Sequence, residues 1–461
     1  MKIKVQILIE SDENNVTAIE EIACIERKNL SPETLGLTLQ EGKNILKNLQ
    51  STMISNQVEE HIAQNKNCWE CGKECNLKDS KNKITYRTPF GKLKISSPRF
   101  YKCACDSIKG ESFSPIAKLL PERTSPELLY LQSKWSSLMS YGMTVDLLEE
   151  ILPLNTNVAS TLLNSRKIAE RIESALEEEK PMFIDGCINE WEKLPFPDEP
   201  LSVGIDGGYI YGREGENRKA GHFEVIVGKS MQEGSDNKRF GFVNNYDKKP
   251  KRRLYDMLMS QGFQMNQTIT FLSDGGDTVR DLQFYMSPNA EHILDWFHVT
   301  MRITVMKQMA KGIPKNESLK NLEKDIDGVK WYLWHGNVFN ALQRLENIED
   351  DLNCVDEPKA LKLYNTVNEF YGYIENNRNL IPNYQDRHQY GECISTAFVE
   401  STVNEVISKR MRKKQQMRWT QKGAHLLLQL RTKTLNNELE GNFQNWYPEF
   451  RAGDKINKNV A

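Results

Sequence analysis

Two apolar runs that each end in Asp-Gly-Gly constrain this chain more than any other feature. Leu201-Ser-Val-Gly-Ile leads into Asp206-Gly-Gly, and Thr268-Ile-Thr-Phe-Leu-Ser leads into Asp274-Gly-Gly. Short apolar runs closed by turn residues read as strands, so each aspartate falls at a strand end. The glycines beside them (Gly204, Gly207, Gly208; Gly275, Gly276) would let another backbone approach closely. The neighbouring pattern supplies the rest of a sheet. Strands are predicted over 201–213, 222–231 and 239–245, then a helix over 251–261, the strand ending at Asp274, a short helix, and a strand over 291–298. The first aspartate lies on the first strand and the second on the fourth.

A third carboxylate follows far along the chain. In Phe398-Val-Glu400-Ser-Thr-Val-Asn404-Glu-Val-Ile, the residues Val399, Val403, Val406, Ile407 and Met411 repeat at helical spacing as an apolar stripe. Glu400 and Asn404 sit four apart on the adjacent face, so both can point at one site. This order of elements suits an RNase H-like catalytic domain, a mixed five-stranded sheet flanked by helices. The stretch from Asp274 to Glu400 is too long for the bare fold, so a helical insertion is expected over 301–392. Asp206, Asp274 and Glu400 are the hard oxygen ligands that Mg²⁺ (or Mn²⁺) takes, with water and phosphate completing each octahedron. Two such ions support in-line attack at a phosphodiester, one at the attacking oxygen and one at the leaving 3′ oxygen. Asp-Gly is also a common turn pair, and each acid alone would pass as a turn residue; their joint placement is what points to a site. Asp277 competes for the second position, Glu392 or Glu405 for the third, and Asp185 more weakly for the first. His298, in Asp295-Trp-Phe-His298, reads either as a core histidine at a strand end or as part of the site.

The chain has nine cysteines, and five fall between Cys68 and Cys105. That clustering reads as metal binding in a reducing compartment and not as a disulfide scaffold. Cys68-Trp-Glu-Cys71 and Cys103-Ala-Cys105 bracket a predicted hairpin, as in a zinc ribbon with a closed, structural Zn²⁺ site. Cys75 is the alternative ligand. On the hairpin, Arg87, Lys92, Lys94 and Arg99 alternate with aromatic residues and are candidates for DNA phosphates; a merely solvated basic face is the competing reading.

Net charge is −2, which argues neither for nor against nucleic acid, so local patches must carry that argument. No apolar run approaches the roughly 20 residues of a membrane span. The N-terminus has no cleavage-like site, and a cytoplasmic location is expected. Two helices over 144–152 and 156–173, broken at Pro153, look like a helix-turn-helix, with Thr161, Asn164, Ser165, Arg166 and Lys167 as groove-facing candidates. Basic runs at Lys248-Lys-Pro-Lys-Arg-Arg253 and Lys409-Arg-Met-Arg-Lys-Lys414 are usually solvated faces. The second run continues from the Glu400 helix, which makes Arg410, Arg412, Lys413 and, beyond them, Arg418 candidates for the DNA backbone. The expected organisation is a small α/β segment (1–63), a zinc-ribbon-like domain (64–110), a helical helix-turn-helix-like domain (111–195), the catalytic core (196–300), the insertion (301–392), and core completion with C-terminal helices (393–461).

With these residues in view, the chain resembles bacterial insertion-sequence DDE transposases of the ISKra group. The likeness runs through Leu30-Ser-Pro-Glu-Thr-Leu-Gly-Leu-Thr-Leu-Gln-Glu-Gly-Lys43, Tyr86-Arg-Thr-Pro-Phe-Gly91, Ser97-Pro-Arg99, Gly204-Ile-Asp-Gly-Gly208, Ser273-Asp-Gly275, Leu294-Asp-Trp-Phe-His298, Val399-Glu-Ser401, Met417-Arg-Trp419 and Gly423-Ala-His-Leu-Leu-Leu-Gln-Leu-Arg431. It implies catalysis by Asp206, Asp274 and Glu400 with Mg²⁺, an active-site role for His298, and transposon ends and target DNA as partners. A dimer or higher oligomer on DNA is also implied, since two ends must be paired. One departure is visible: Ile394-Ser-Thr-Ala-Phe398 stands where related sequences carry a glycine-containing turn.

Overall fold

The structure is a computed structural model that describes residues 1–10, 17–105, 111–181, 183, 186–195, 200–213, 221–232, 234–276, 281–282, 286, 290–314, 319–395, 397–412 and 417–453. It divides into two compact units, Met1–Ile168 with Glu438–Ala461, and Ala169–Asn437. The division falls within the helix Val158–Ala175. Among the described residues no helix is long and apolar enough to cross a membrane.

In the first unit, β1 (Lys2–Glu10) and β2 (Thr17–Glu26) form an antiparallel hairpin. Arg27 after β2 grips Glu41 through both guanidinium nitrogens at 2.7 and 2.6 Å. Glu41 also closes a capping box with Thr38 at the start of the helix Leu39–Gln64. The strands β3 (Leu77–Asp79), β4 (Lys83–Thr88), β5 (Gly91–Ser96), β6 (Arg99–Tyr101) and β7 (Ser112–Phe113) follow. β4 and β5 make a tight hairpin, while β3, β6 and β7 form a small sheet. Ile84 and Ile95 face Val58 and Ile116 in a shared core. Beyond them, Ser125 and Ser140 cap the helices Pro126–Leu138 and Tyr141–Ile151, which precede the helix that starts at Val158.

The second unit is built on one mixed five-stranded sheet of β8 (Leu201–Tyr211), β9 (His222–Met231), β10 (Lys238–Val243), β11 (Ile269–Ser273) and β12 (Glu291–Leu294). Its order is β10-β9-β8-β11-β12. The first three strands are antiparallel; β11 runs parallel to β8, and β12 parallel to β11. One face packs Leu201, Val203 and Ile205 against Leu254, Met257 and Leu258 of the helix Pro250–Ser260. The other packs Ile210, Val225 and Val227 against Val406, Ile407 and Leu428. Burial on both faces explains why these strands read as nearly continuous apolar runs.

Four helices, Trp296–Lys311, Leu322–Trp334, Val338–Asn353 and Pro358–Asn376, close around their own core of Ile303, Met306, Leu333, Leu345, Val367 and Phe370. The first begins earlier than the sequence suggests. Asp295 accepts the Phe297 backbone N–H at 2.9 Å and acts as an N-cap, which ends β12 at Leu294. His298 therefore lies in the first turn of a helix and not at a strand end. The helix Ala397–Val403 continues as the π-helical turn Asn404–Arg412, with Val399, Val406, Ile407 and Met411 buried. It passes close over β8 at Gly208, where a Cβ would lie 3.1 Å from Ile407 Cδ1 and 3.3 Å from Val403 Cγ1.

Candidate active site

The register of the parallel strands sets the site. Leu272 pairs with Gly204 on one side, and Ser273 pairs with Leu294 on the other. Carried forward, the same register puts Asp274 beside Asp206 and beside Asp295. Adjacent strands are about 4.8 Å apart, and residues level with one another point to the same face. Three carboxyl groups thus form a row at the C-terminal edge of three parallel strands, where open α/β sheets place their ligands. Local hydrogen bonds hold the row. The Gly207 N–H donates to Asp206 Oδ1 at 2.7 Å, and the Gly276 N–H to Asp274 Oδ1 at 3.0 Å. The Asp295 N–H donates to the Ser273 carbonyl at 2.8 Å. Gly275 has φ +85°, and a Cβ there would run into the side chain of Asn377, so this turn requires glycine twice over.

His298 is the counter-charge in this cluster. Its Nδ1 lies 2.8 Å from Asp295 Oδ2, and the Asp295 side chain is fully buried. That hydrogen bond raises the imidazole above its ordinary value, against burial, and the charges of Asp206 and Asp274 add to the effect. Burial raises the Asp206 carboxyl. His298 and the Gly207 N–H pull it back, while Asp274 and Asp295 push it further up. Asp206 thus feels the charges of both neighbouring carboxyl groups and of His298.

Glu400 comes from a separate element. Its helix packs on β8 and β9, and its side chain is exposed. Among the described residues the groups whose ligand atoms all lie within 4.8 Å of one another are the four cysteines and Glu173/Asp247/His425; neither Asp206/Asp274/Asp295 nor Asp206/Asp274/Glu400 is one of them. The competing third-position acids are engaged elsewhere. Arg239 Nε donates to Glu405 at 2.8 Å, and Arg387 Nη1 donates to Glu392 at 2.8 Å. Asp185 and Asp277 lie outside the described residues. Sequence reasoning took Asp295 only as part of a motif and missed its place in the row. The signal was present, since Leu294-Asp295 ends an apolar strand as Ser273-Asp274 does.

In the first unit, Cys68 Sγ lies 3.4 Å from Cys105 Sγ, and Cys71 Sγ lies 3.6 Å from Cys103 Sγ. A tetrahedron of thiolates about 2.3 Å from zinc has sulfurs about 3.8 Å apart, so these four fit a closed Zn²⁺ site. Backbone N–H groups of Cys71 and Glu70 lower the Cys68 thiol, and that of Cys105 helps bring Cys103 down to about 7, while the neighbouring thiols Cys103, Cys68 and Cys71 push Cys105 well up. Cys75 is not in this set; it packs with Phe100 and Cys68 in a small apolar cluster. The Glu173/Asp247/His425 group is different. The Arg253 guanidinium already sits among these residues, 2.9 Å from Asp247 and 3.0 Å from Glu173. A metal would have to displace it.

The basic candidates separate into two groups. Arg87, Lys92 and Lys94 are exposed on one face of the β4–β5 hairpin, because Arg87 pairs with Lys92 and Thr85 with Lys94. Lys83 joins them by the same register. Arg99, Arg166, Arg412 and Arg418 are exposed too. Lys167, in contrast, pairs with Glu122 at 2.9 Å. Arg410 is fully buried with its guanidinium 5.4 Å from the Trp419 ring, which removes it from any surface facing phosphate. Lys413 lies outside the described residues. Of the groove-facing candidates, Thr161 and Ser165 are buried against the helix Pro126–Leu138, bonded to Gln132 and Ser136, and Asn164 also bonds Gln132. In the run 248–253, Arg253 is buried, and Arg252 is bound to Glu177 and Asp256.

No family model and no curated protein matches the chain. Among solved structures it is similar to the Drosophila P element transposase strand transfer complex, at a TM-score of 0.32 and 10% identity, over 68% of this chain and 93% of that one. An overlap of that quality carries no argument about function.

Proposed function

We propose that the chain is a DDE-type DNA transposase, of the bacterial insertion-sequence group its motifs resemble, that cuts transposon ends and joins them to target DNA. The observation that carries this reading is the row Asp206–Asp274–Asp295 at the ends of three parallel strands, with the Glu400 helix packed across β8 and β9. The order β10-β9-β8-β11-β12, antiparallel then parallel, is the one expected of an RNase H-like domain. The helices between β12 and the Glu400 helix, from Trp296–Lys311 to Tyr384–Gln389, suit a helical insertion in such a domain.

Asp206, Asp274 and Glu400 would hold Mg²⁺, whose chemistry is to activate the attacking oxygen and neutralise the leaving one. Crowded carboxylates at a strand edge suit a hard cation. Asp295 fixes the His298 ring through the Nδ1 hydrogen bond and favours its protonated form. Glu400 is carried on a helix that packs close over Gly208 of β8. The Cys68/Cys71/Cys103/Cys105 site would hold structural Zn²⁺ next to the basic hairpin face, which suits contact with DNA phosphates.

The test is cleavage and joining of labelled DNA carrying the ends of the encoding element, with Mg²⁺ or Mn²⁺, for the wild type, Asp206→Asn and Glu400→Gln. Joined products that vanish in both variants support the proposal. Metal-dependent cuts without joining would make the chain a nuclease. End binding with no chemistry would make it a DNA-binding derivative, and either outcome overturns the transposase reading.

A further inference from the structure

Arg302 is the unexplained cation beside the acidic row. It lies four residues after His298 on the helix Trp296–Lys311, so the two share a face. Its side chain is exposed, and it makes no ion pair among the described residues. Its guanidinium instead stacks on the Tyr373 ring, 4.1 Å from the centroid. Such contacts orient a guanidinium and leave its N–H edges free for another acceptor.

Tyr373 is itself placed by the site. It sits one turn before Asn377, whose side chain covers Gly275 next to Asp274 and whose Nδ2 donates to the Tyr373 carbonyl at 2.8 Å. The Tyr373 hydroxyl is buried with no hydrogen-bond partner. Burial is the main reason this phenol is raised, and the charges of Asp274 and Asp295 reach it as well. An orphaned buried hydroxyl is destabilising. Its ring is therefore worth keeping for what stacks on it.

We propose that Arg302, oriented by the Tyr373 ring, is a substrate-binding residue that grips a phosphate of the DNA strand lying across the Asp206–Asp274 row. A planar guanidinium matches two phosphate oxygens at once, and an unpaired arginine beside an acidic, cation-binding row would draw the polyanion into register. This inference rests on the reading of the row as a phosphodiester site. It adds to that reading a residue that the carboxylate pattern does not contain, and it gives the helical insertion a part in the site through Tyr373.

The experiment uses the full chain and a short fluorescent DNA duplex in Ca²⁺, titrated at several salt concentrations, together with cleavage in Mn²⁺. The variants are Arg302→Ala, Arg302→Lys, Tyr373→Phe and Tyr373→Leu. Arg302→Ala is expected to slow cleavage about 10- to 100-fold, the loss of one charged hydrogen-bonding contact, and to lower the salt slope of binding by about one unit. Arg302→Lys recovers part of the binding but little of the rate, because it keeps the charge without the planar fork. Tyr373→Phe keeps both binding and rate, while Tyr373→Leu behaves as Arg302→Ala. A thermal melt shows that each variant is folded; should Tyr373→Leu not fold, Arg302→Ala with Arg302→Lys decides alone. Wild-type cleavage with Arg302→Ala unchanged in rate and salt slope would overturn this inference and leave the transposase reading standing. A wild type that neither binds nor cuts DNA would overturn both.

Discussion

Replacing Arg253 with Met tests whether buried charge or apolar packing holds the second unit together at this point. The Arg253 guanidinium donates to Asp247 at 2.9 and 3.1 Å, to Glu173 at 3.0 and 3.1 Å, and to Gln429 at 2.6 Å. It ties the helix Pro250–Ser260 to the helix Gln421–Leu435 and to the loop after β10. Methionine fills a similar volume but leaves buried Asp247 and half-buried Glu173 without the guanidinium. Removing one partner of such a network costs about 3–5 kcal/mol. Glu173 reports on the same network. Burial alone would raise its carboxyl, but His425 first and Arg253 with it outweigh burial and bring it down to about 2, from 4.5, so the ionised carboxylate carries part of the network's stability. The folded value is depressed, so this stability is present above pH 4.5 and is lost as pH falls toward about 2. In a chain of two units a single melting point is not well defined. The assay is therefore hydrogen exchange of the helices Pro250–Ser260 and Gln421–Leu435, as a function of urea, at neutral and acid pH. Arg253→Met should open these helices about 3 kcal/mol more easily at neutral pH and flatten their acid dependence. Adding Glu173→Gln to Arg253→Met should recover part of the loss. A variant within 1 kcal/mol of wild type at neutral pH, with the same acid slope, would refute this reasoning.

Three further outcomes follow from the geometry. Purified protein should carry one zinc; Cys103→Ser should lose it and Cys75→Ser should keep it, read by metal analysis and by release to a colorimetric chelator. Gly208→Val should abolish cleavage while leaving β8 folded and DNA bound, because its side chain would push Val403 and Ile407, and Glu400 with them, away from the strand; unchanged cleavage would mean that the Glu400 helix need not sit there. Gly275→Ala should destabilise the turn by about 1–3 kcal/mol, since it combines a left-handed backbone with a collision at Asn377, and hydrogen exchange of β11 and the helix Pro358–Asn376 in this variant beside Asn377→Ala checks both contributions.

The sequence showed the sheet clearly and the charges poorly. The strands stand out because both faces are buried, so runs such as Ile269–Ser273 carry no charged residue to blur them. The pairing of Cys68 with Cys71 and of Cys103 with Cys105 stands out because metal ligation demands short local spacing. The fate of an arginine does not show in the same way. Arg253 and Arg410 sit in runs that look solvated, and both are buried, one on carboxylates over 70 residues away or nearby in the chain and the other on Trp419. Nothing local announces such partners. The strand that was predicted to reach His298 failed for a related reason: Asp295 can end a strand or cap a helix, and its hydrogen bond to the Phe297 N–H decides for the helix.

That switch at Asp295 is also what gives the site its asymmetry. A strand continuing to His298 would have sent alternate side chains to opposite faces of the sheet. A helix starting at Trp296 instead turns His298 back onto Asp295 and carries Arg302 on the same face one turn later. An imidazole and a guanidinium are thereby delivered to the end of a sheet whose strand ends supply acids. His298 is held by a buried carboxylate and Arg302 by an aromatic ring from the insertion. The first is committed to the protein and the second is left open to a ligand. On this view the helical insertion does more than fill the gap between Asp274 and Glu400. Through Tyr373 and Asn377 it braces both the turn that presents Asp274 and the Arg302 guanidinium.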